Sequence, residues 1–161
     1  MTGITPFLWF DSQAEEAANF YVSVFDDAAI TSVSRYGEEG REIHGRPPGS
    51  AMVVNFRLRG QNFMALNGGP NFQFTEAVSF MVHCATQAEV DHFWQRLGED
   101  GGAPGRCGWL KDRYGLSWQI VPDALGALLQ DRDRQKAGRV MNAMLKMGKI
   151  DIAALQRARA G

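Results

Sequence analysis

Little in this sequence pulls it toward a specialised class. Of its 161 residues only two are cysteines and three are histidines. Cys84 and Cys107 form no C-x-x-C pair, and no Cys or His pair has the short spacing of a structural zinc site. A disulfide scaffold is therefore excluded, and two thiols without such a pattern suit a reducing cytoplasm. No apolar run approaches the roughly 20 residues that a membrane span needs. The N-terminus lacks the basic stretch and apolar segment of a secretory signal, so the expectation is a cytoplasmic protein without a membrane partner. Charge of one sign is also missing. Seventeen Lys and Arg stand against eighteen Asp and Glu, a formal −1, which leaves no overall attraction to nucleic acid. Glycine is absent where a nucleotide-binding loop would require it, because the apolar run Ile4 to Phe10 passes directly into Asp11-Ser12-Gln13. The Gly-rich stretch 101–105 lacks G-x-G-x-x-G spacing, and no P-loop, Ser-His-Asp order or reactive-cysteine signature occurs.

What is present is an internal repeat. Ser12-Gln13-Ala14-Glu15 recurs 74 residues later as Thr86-Gln87-Ala88-Glu89. Each copy follows a strand-like apolar run, Ile4 to Phe10 or Val78 to Cys84. Each precedes a helical stripe ending in aromatics, Phe20-Tyr21-Phe25 or Phe93-Trp94. Both copies read as capping boxes, with the Ser12 or Thr86 hydroxyl accepting from the backbone N–H at Glu15 or Glu89. Beyond the first helix, Ile30 to Tyr36, Met52 to Arg59 and Asn62 to Asn67 read as strands. Gly60-Gln61 is the expected hairpin turn between the last two. Residues 37–49 have the composition of an exposed loop. Beyond the second helix, Gly105 to Lys111 and Leu116 to Val121 fit strands around an Asp112-Arg113-Tyr114-Gly115 turn. Asp112-Arg113 reads either as an ion pair at a pocket mouth or as a charged turn. The expected class is α+β: two βαβββ modules, about 1–70 and 77–122, and a helical extension over 123–161.

The extension changes period. Leu125, Leu128 and Leu129 form one stripe, Val140, Met141, Met144 and Leu145 another, and Ile150-Asp151-Ile152 opens a last helix. Residues 131–161 carry eight Lys and Arg against three Asp, a local +5 beside −6 elsewhere. With no aromatic residues among them, these basic side chains read as a solvated helix face rather than a nucleic-acid surface.

Three stretches carry a family resemblance: Ile4-Thr5-Pro6-Phe7-Leu8-Trp9-Phe10, the run Cys107 to Pro122 (CGWLKDRYGLSWQIVP), and the tail from Lys136 to Ala153. Together they resemble the PhnB-like branch of the vicinal oxygen chelate superfamily, which includes glyoxalase I, bleomycin-resistance proteins and extradiol dioxygenases. Members of the branch often carry the label 3-demethylubiquinone-9 3-methyltransferase domain. The resemblance implies paired βαβββ modules and a homodimer. It also implies a divalent metal held by His and Glu on inward strand positions, acting as a Lewis acid. Carried over one at a time, those positions fall on Thr5, near Ala65, on Ser79 and on Gln119. This set contains no imidazole and no carboxylate, a poor match for a divalent cation. Of the histidines, His44 falls in the polar loop and His92 opposite the Val90, Phe93 and Leu97 stripe.

The remaining candidate is a pocket. Period-two alternation groups Thr5, Phe7 and Trp9 on one strand face, Phe63, Ala65 and Asn67 on another, and Ser79, Met81 and His83 on a third, with Gln119 and Val121 on the last strand. This apolar and aromatic lining with a few hydrogen-bonding groups suits a small-molecule ligand, and it equally suits an ordinary core. The expected function is a metal-independent small-molecule-binding protein without a cofactor. The alternative is an enzyme, either lyase- or dioxygenase-like or the methyltransferase of the family label.

Overall fold

The structure is a computed structural model that describes residues 3–161. Residues 1 and 2, which open the first module as read from the sequence, lie outside the described residues. The chain forms two compact units, the second running from Phe74 to Gly161.

The first unit contains β1 (Phe7–Phe10), α1 (Ala14–Val24), β2 (Ala28–Arg35), the short α2 (Arg41–His44), β3 (Ala51–Leu58) and β4 (Gln61–Asn67). Its sheet order is β1-β4-β3-β2, with β1 parallel to β4 and the other pairs antiparallel. The strand expected from Ile4 begins at Phe7, because Pro6 has no N–H for the ladder; its carbonyl still accepts from the Met64 N–H at 3.0 Å. The hairpin turn is Arg59-Gly60 rather than Gly60-Gln61, since Leu58 pairs with Gln61. Both turn residues take left-handed φ, 45° and 81°, the requirement of a two-residue turn that follows strand twist. The small residues Ala14, Ala17 and Ala18 let α1 lie close on the sheet, where Tyr21 stacks over Phe56 and Phe56 over Phe63. The loop expected over 37–49 contains the helical turn α2, whose four residues are largely exposed.

The second unit repeats the order with shorter strands: β5 (Ser79–Cys84), α3 (Gln87–Gly98), β6 (Ala103–Pro104), β7 (Trp109–Lys111) and β8 (Ser117–Pro122). The sheet order β5-β8-β7-β6, with β5 and β8 parallel, repeats the first sheet's pattern. Val90, Phe93 and Leu97 form the buried stripe of α3, and His92 lies exposed outside it. The two helix starts differ. Thr86 accepts from the Glu89 N–H at 3.2 Å, and Glu89 returns to the Ala85 N–H, one residue earlier than a standard box. Ser12 caps nothing. The cap position falls on Gln13, whose side chain makes no capping bond, and Asn67 Oδ1 accepts from the Ala14 N–H at 2.7 Å instead. Asp112 is neither a pocket mouth nor a mere surface charge. It is 2% exposed, and it accepts from the N–H groups of Tyr114 and Leu116 and from the Trp118 indole. Its carboxylate thereby shapes the hairpin from within, while Arg113 pairs with Asp100 and Glu99.

The tail belongs to this unit. Helices α4 (Asp123–Leu129), α5 (Arg134–Met144) and α6 (Ile152–Ala160) pack around Leu125, Val140, Ile150 and Leu155. Met141 and Leu145, expected in the apolar stripe, point outward. Several basic residues brace the tail. Arg139 donates to the Ala158 and Arg159 carbonyls, Arg159 pairs with Asp131, and Lys149 reaches Asp91 on α3. Gln87 holds both sides of the α6 entry, donating to the Ile150 carbonyl and accepting from the Ile152 N–H.

Candidate functional site

Each sheet has one face under its helix and one face left open. In the first unit the parallel register pairs Phe7 with Met64 and Trp9 with Leu66. The antiparallel register adds Asn55 beside Met64 and Val53 beside Leu66. These residues share the open face, and Phe7 remains half exposed. Thr5 lies exposed just ahead of the strand. The indole of Trp9 is fixed from two sides, donating to the Gly69 carbonyl at 2.9 Å and meeting Phe72 edge-on at 4.9 Å. Gly68 leaves room for it, since a Cβ there would stand 2.3 Å from the indole ring.

The grouping expected from the sequence holds for Phe7 and Trp9, and Phe63, Ala65 and Asn67 also share one face, but it is not the open one. Phe63, Ala65 and Asn67 face α1, on the opposite side from Phe7 and Trp9, and all three are buried. Asn67 is a structural bracket: besides holding the start of α1 it donates to the Ala51 carbonyl at 3.1 Å. The residues that sequence reasoning missed are Met64 and Leu66. Both alternate sets of β4 are largely apolar, so alternation alone carried no sign of which set the helix covers. The strand register decides it. Met81 pairs with Gln119 as Phe7 pairs with Met64, so the counterpart of Gln119 is Met64, not Ala65.

In the second unit Ser79, Met81, His83, Gln119 and Val121 share the open face, joined by Trp109 opposite Gln119. Gln119 donates to the Ser79 hydroxyl at 2.9 Å. His83 is largely exposed, with Nδ1 3.4 Å from the Asp123 carboxylate. Met81 is half exposed.

The divalent cation implied by the superfamily does not fit these residues. In the first unit the corresponding positions hold Thr5 and Met64, a hydroxyl and a thioether. In the second they hold Ser79 and Gln119, already bonded to each other. A retained divalent cation calls for carboxylate oxygen to offset its charge or for imidazole, and neither pair offers one. Among the described residues no group of three His, Cys, Asp or Glu is placed to hold a metal elsewhere.

The first unit also has a polar cavity of about 450 Å³ beside α2, bounded by Asp11, Tyr36, His44, Arg46 and Asn71. Arg46 donates to the Asp11 carbonyl and carboxylate, and the His44 imidazole accepts from the Arg46 N–H while packing on Tyr36. The loop expected to be exposed thus forms one wall of an open cavity.

Comparison with known proteins places the chain. The model of the family described as 3-demethylubiquinone-9 3-methyltransferase matches residues 2–121. A structure described as a putative 3-demethylubiquinone-9 3-methyltransferase, PhnB protein, from Bacillus cereus is 39% identical, with a TM-score of 0.67, covering 75% of this chain and 99% of that one. A protein from Pseudomonas aeruginosa shares the fold at 18% identity and a TM-score of 0.61, covering 76% and 98%. A glyoxylase/bleomycin resistance protein/dioxygenase domain from Frankia is 12% identical at a TM-score of 0.48, covering 76% and 92%. No curated protein matches significantly. The chain belongs to the 3-demethylubiquinone-9 3-methyltransferase family and is PhnB-like. No helix among the described residues is long and apolar enough to cross a membrane.

Proposed function

We propose that this chain is a small-molecule-binding protein that works without a divalent metal, as a homodimer in the cytoplasm. The observation that carries the reading is the chemistry of the open faces. Phe7, Trp9, Met64 and Leu66 offer apolar and aromatic area, while Ser79 and Gln119 supply neutral hydrogen-bonding groups where the superfamily pattern calls for charged ligands. Each face by itself, the second with Met81, Trp109 and Val121 beside Ser79 and Gln119, favours planar, weakly polar ligands over Lewis-acid chemistry. The half-exposed Met141 and Leu145 of the tail leave apolar area that a second copy would cover, and two cysteines without a disulfide suit a reducing compartment.

A thermal-shift screen of the purified protein tests the reading. Aromatic ligands are expected to raise the melting temperature, with zinc, nickel and chelator leaving it unchanged. Stoichiometric metal by elemental analysis after dialysis against zinc would overturn it. The methyltransferase named for the Bacillus cereus relative gives the competing reading. S-adenosylmethionine in the same screen decides it: stabilisation by that compound favours the enzyme. Light scattering across micromolar concentrations tests the dimer, against which a constant monomer mass would count.

A further inference from the structure

The second unit holds a cavity of about 320 Å³ lined by Glu76, Pro104, Trp109, Leu110, Lys111 and Ser117, together with Ala103 and Gly105. It shares Trp109 with the open face, on which the register also puts Lys111 and Ser117, but Ser79, Met81, His83 and Gln119 do not line it. Two features set it apart from an accidental gap between strands. Ser117 is fully buried, and its hydroxyl has no hydrogen-bond partner. Buried polar groups are nearly always paired, so an orphan hydroxyl on a cavity wall marks a place where a partner from outside belongs. Lys111 is the cross-strand neighbour of Ser117, so both side chains leave the sheet on the same face, and both line the cavity. The ammonium is already engaged by the carboxylate of Glu76.

The rest of the lining is apolar and partly aromatic, with Pro104, Leu110 and the half-buried Trp109. We propose that this cavity binds a small aromatic carboxylate. The ring lies among Pro104, Leu110 and Trp109. The carboxylate takes the Lys111 ammonium from Glu76 and accepts from the Ser117 hydroxyl once that side chain turns toward it. Glu76 is the chain's own stand-in for the ligand: it shows which group the ammonium accepts, and it competes for the site. Glu76 and Lys111 both keep substantial exposure, so their pairing is weak and displaceable. The volume lies at the lower end for ligand pockets and suits a molecule of roughly a dozen non-hydrogen atoms. This assignment deepens the binding reading above by naming a ligand class and a place.

The experiment is calorimetric titration of the full chain with 2-naphthoate, and with the neutral 2-naphthalenemethanol as control. Wild type is expected to prefer the carboxylate by about tenfold, through the charge-assisted bond to Lys111. Glu76→Gln removes the internal competitor and is expected to tighten naphthoate severalfold, an effect that no merely structural role for Glu76 explains. Lys111→Met is expected to abolish the preference for the carboxylate. Ser117→Ala is expected to weaken naphthoate without lowering the melting temperature, since no existing bond is lost. Circular dichroism of each variant confirms folding. The assignment is overturned if wild type and Glu76→Gln both fail to bind naphthoate at millimolar concentration, if Glu76→Gln weakens binding, or if Lys111→Met leaves the preference intact. If naphthoate fails while the thermal-shift screen yields other ligands, the carboxylate site is wrong and the broader reading stands. If neither yields a ligand, both fail.

Discussion

Asn67 separates a structural from a ligand-binding reading of the first sheet, because the two make opposite predictions for one side chain. Its Oδ1 accepts from the Ala14 N–H at 2.7 Å and its Nδ2 donates to the Ala51 carbonyl at 3.1 Å, both in buried surroundings. Replacing it with alanine strands a helix-start donor and a strand carbonyl together. Each buried group left without a partner costs about 1–3 kcal/mol. The two losses share one small region and are not strictly additive, so Asn67→Ala should cost roughly 2–4 kcal/mol. A domain of this size has only about 5–15 kcal/mol in total. With a urea dependence of about 2 kcal/mol per molar, the midpoint should fall by roughly 1–2 M. Asn67→Asp should lie between wild type and alanine. It keeps the acceptor and adds a negative charge at the positive end of α1, while its second oxygen faces the Ala51 carbonyl. Urea unfolding followed by circular dichroism measures all three proteins. A midpoint for Asn67→Ala within about 0.3 M of wild type, which is under about 1 kcal/mol, would refute the bracket and return Asn67 to the pocket list.

The register of β4 gives a second test: Ala65→Glu puts a charge under α1 and should cost about 3 kcal/mol or more, whereas Met64→Glu on the open face should cost under about 1 kcal/mol. Chemical denaturation compares them, and equal costs would refute the assignment of faces. The two helix starts should also respond differently, with Thr86→Ala losing about 1 kcal/mol and Ser12→Ala almost nothing. A comparable loss from Ser12→Ala would show that its hydroxyl caps α1 after all. The last prediction concerns acid. The Lys149 ammonium, then the Gln87 amide, hold the Asp91 carboxyl below its usual value, and the Asp133 N–H followed by Arg159 does the same for Asp131. Both contributions are therefore complete above the ordinary carboxylate range, near pH 4, and are lost as pH falls through the lower folded-state values. Hydrogen-exchange protection in α5 and α6, taken relative to the intrinsic exchange rate at each pH, should fall over that acid interval, and Asp91→Asn should flatten the change; an unchanged profile would count against it.

The sequence alone determined whatever repeats or alternates with a clear sign. The 74-residue repeat announced two like units, and their sheets share one strand order. The stripe Val90, Phe93 and Leu97 named the buried face of α3, and in β5 the histidine at 83 showed which alternate residues stay open. Residue chemistry by itself also argued against a divalent cation at Thr5, Ser79 and Gln119. Only the tertiary structure decided matters where both local choices were equally good. In β4, Phe63 with Ala65 and Met64 with Leu66 are apolar alike, so the phase came from pairing with β1 and from α1 above. The capping box at Ser12 is locally as sound as the one at Thr86. At that position Asn67, 53 residues beyond Ala14 in the chain, reached the helix start instead. The unpaired hydroxyl of Ser117 was likewise invisible in the sequence, since a serine has a partner or lacks one only once the chain has closed around it.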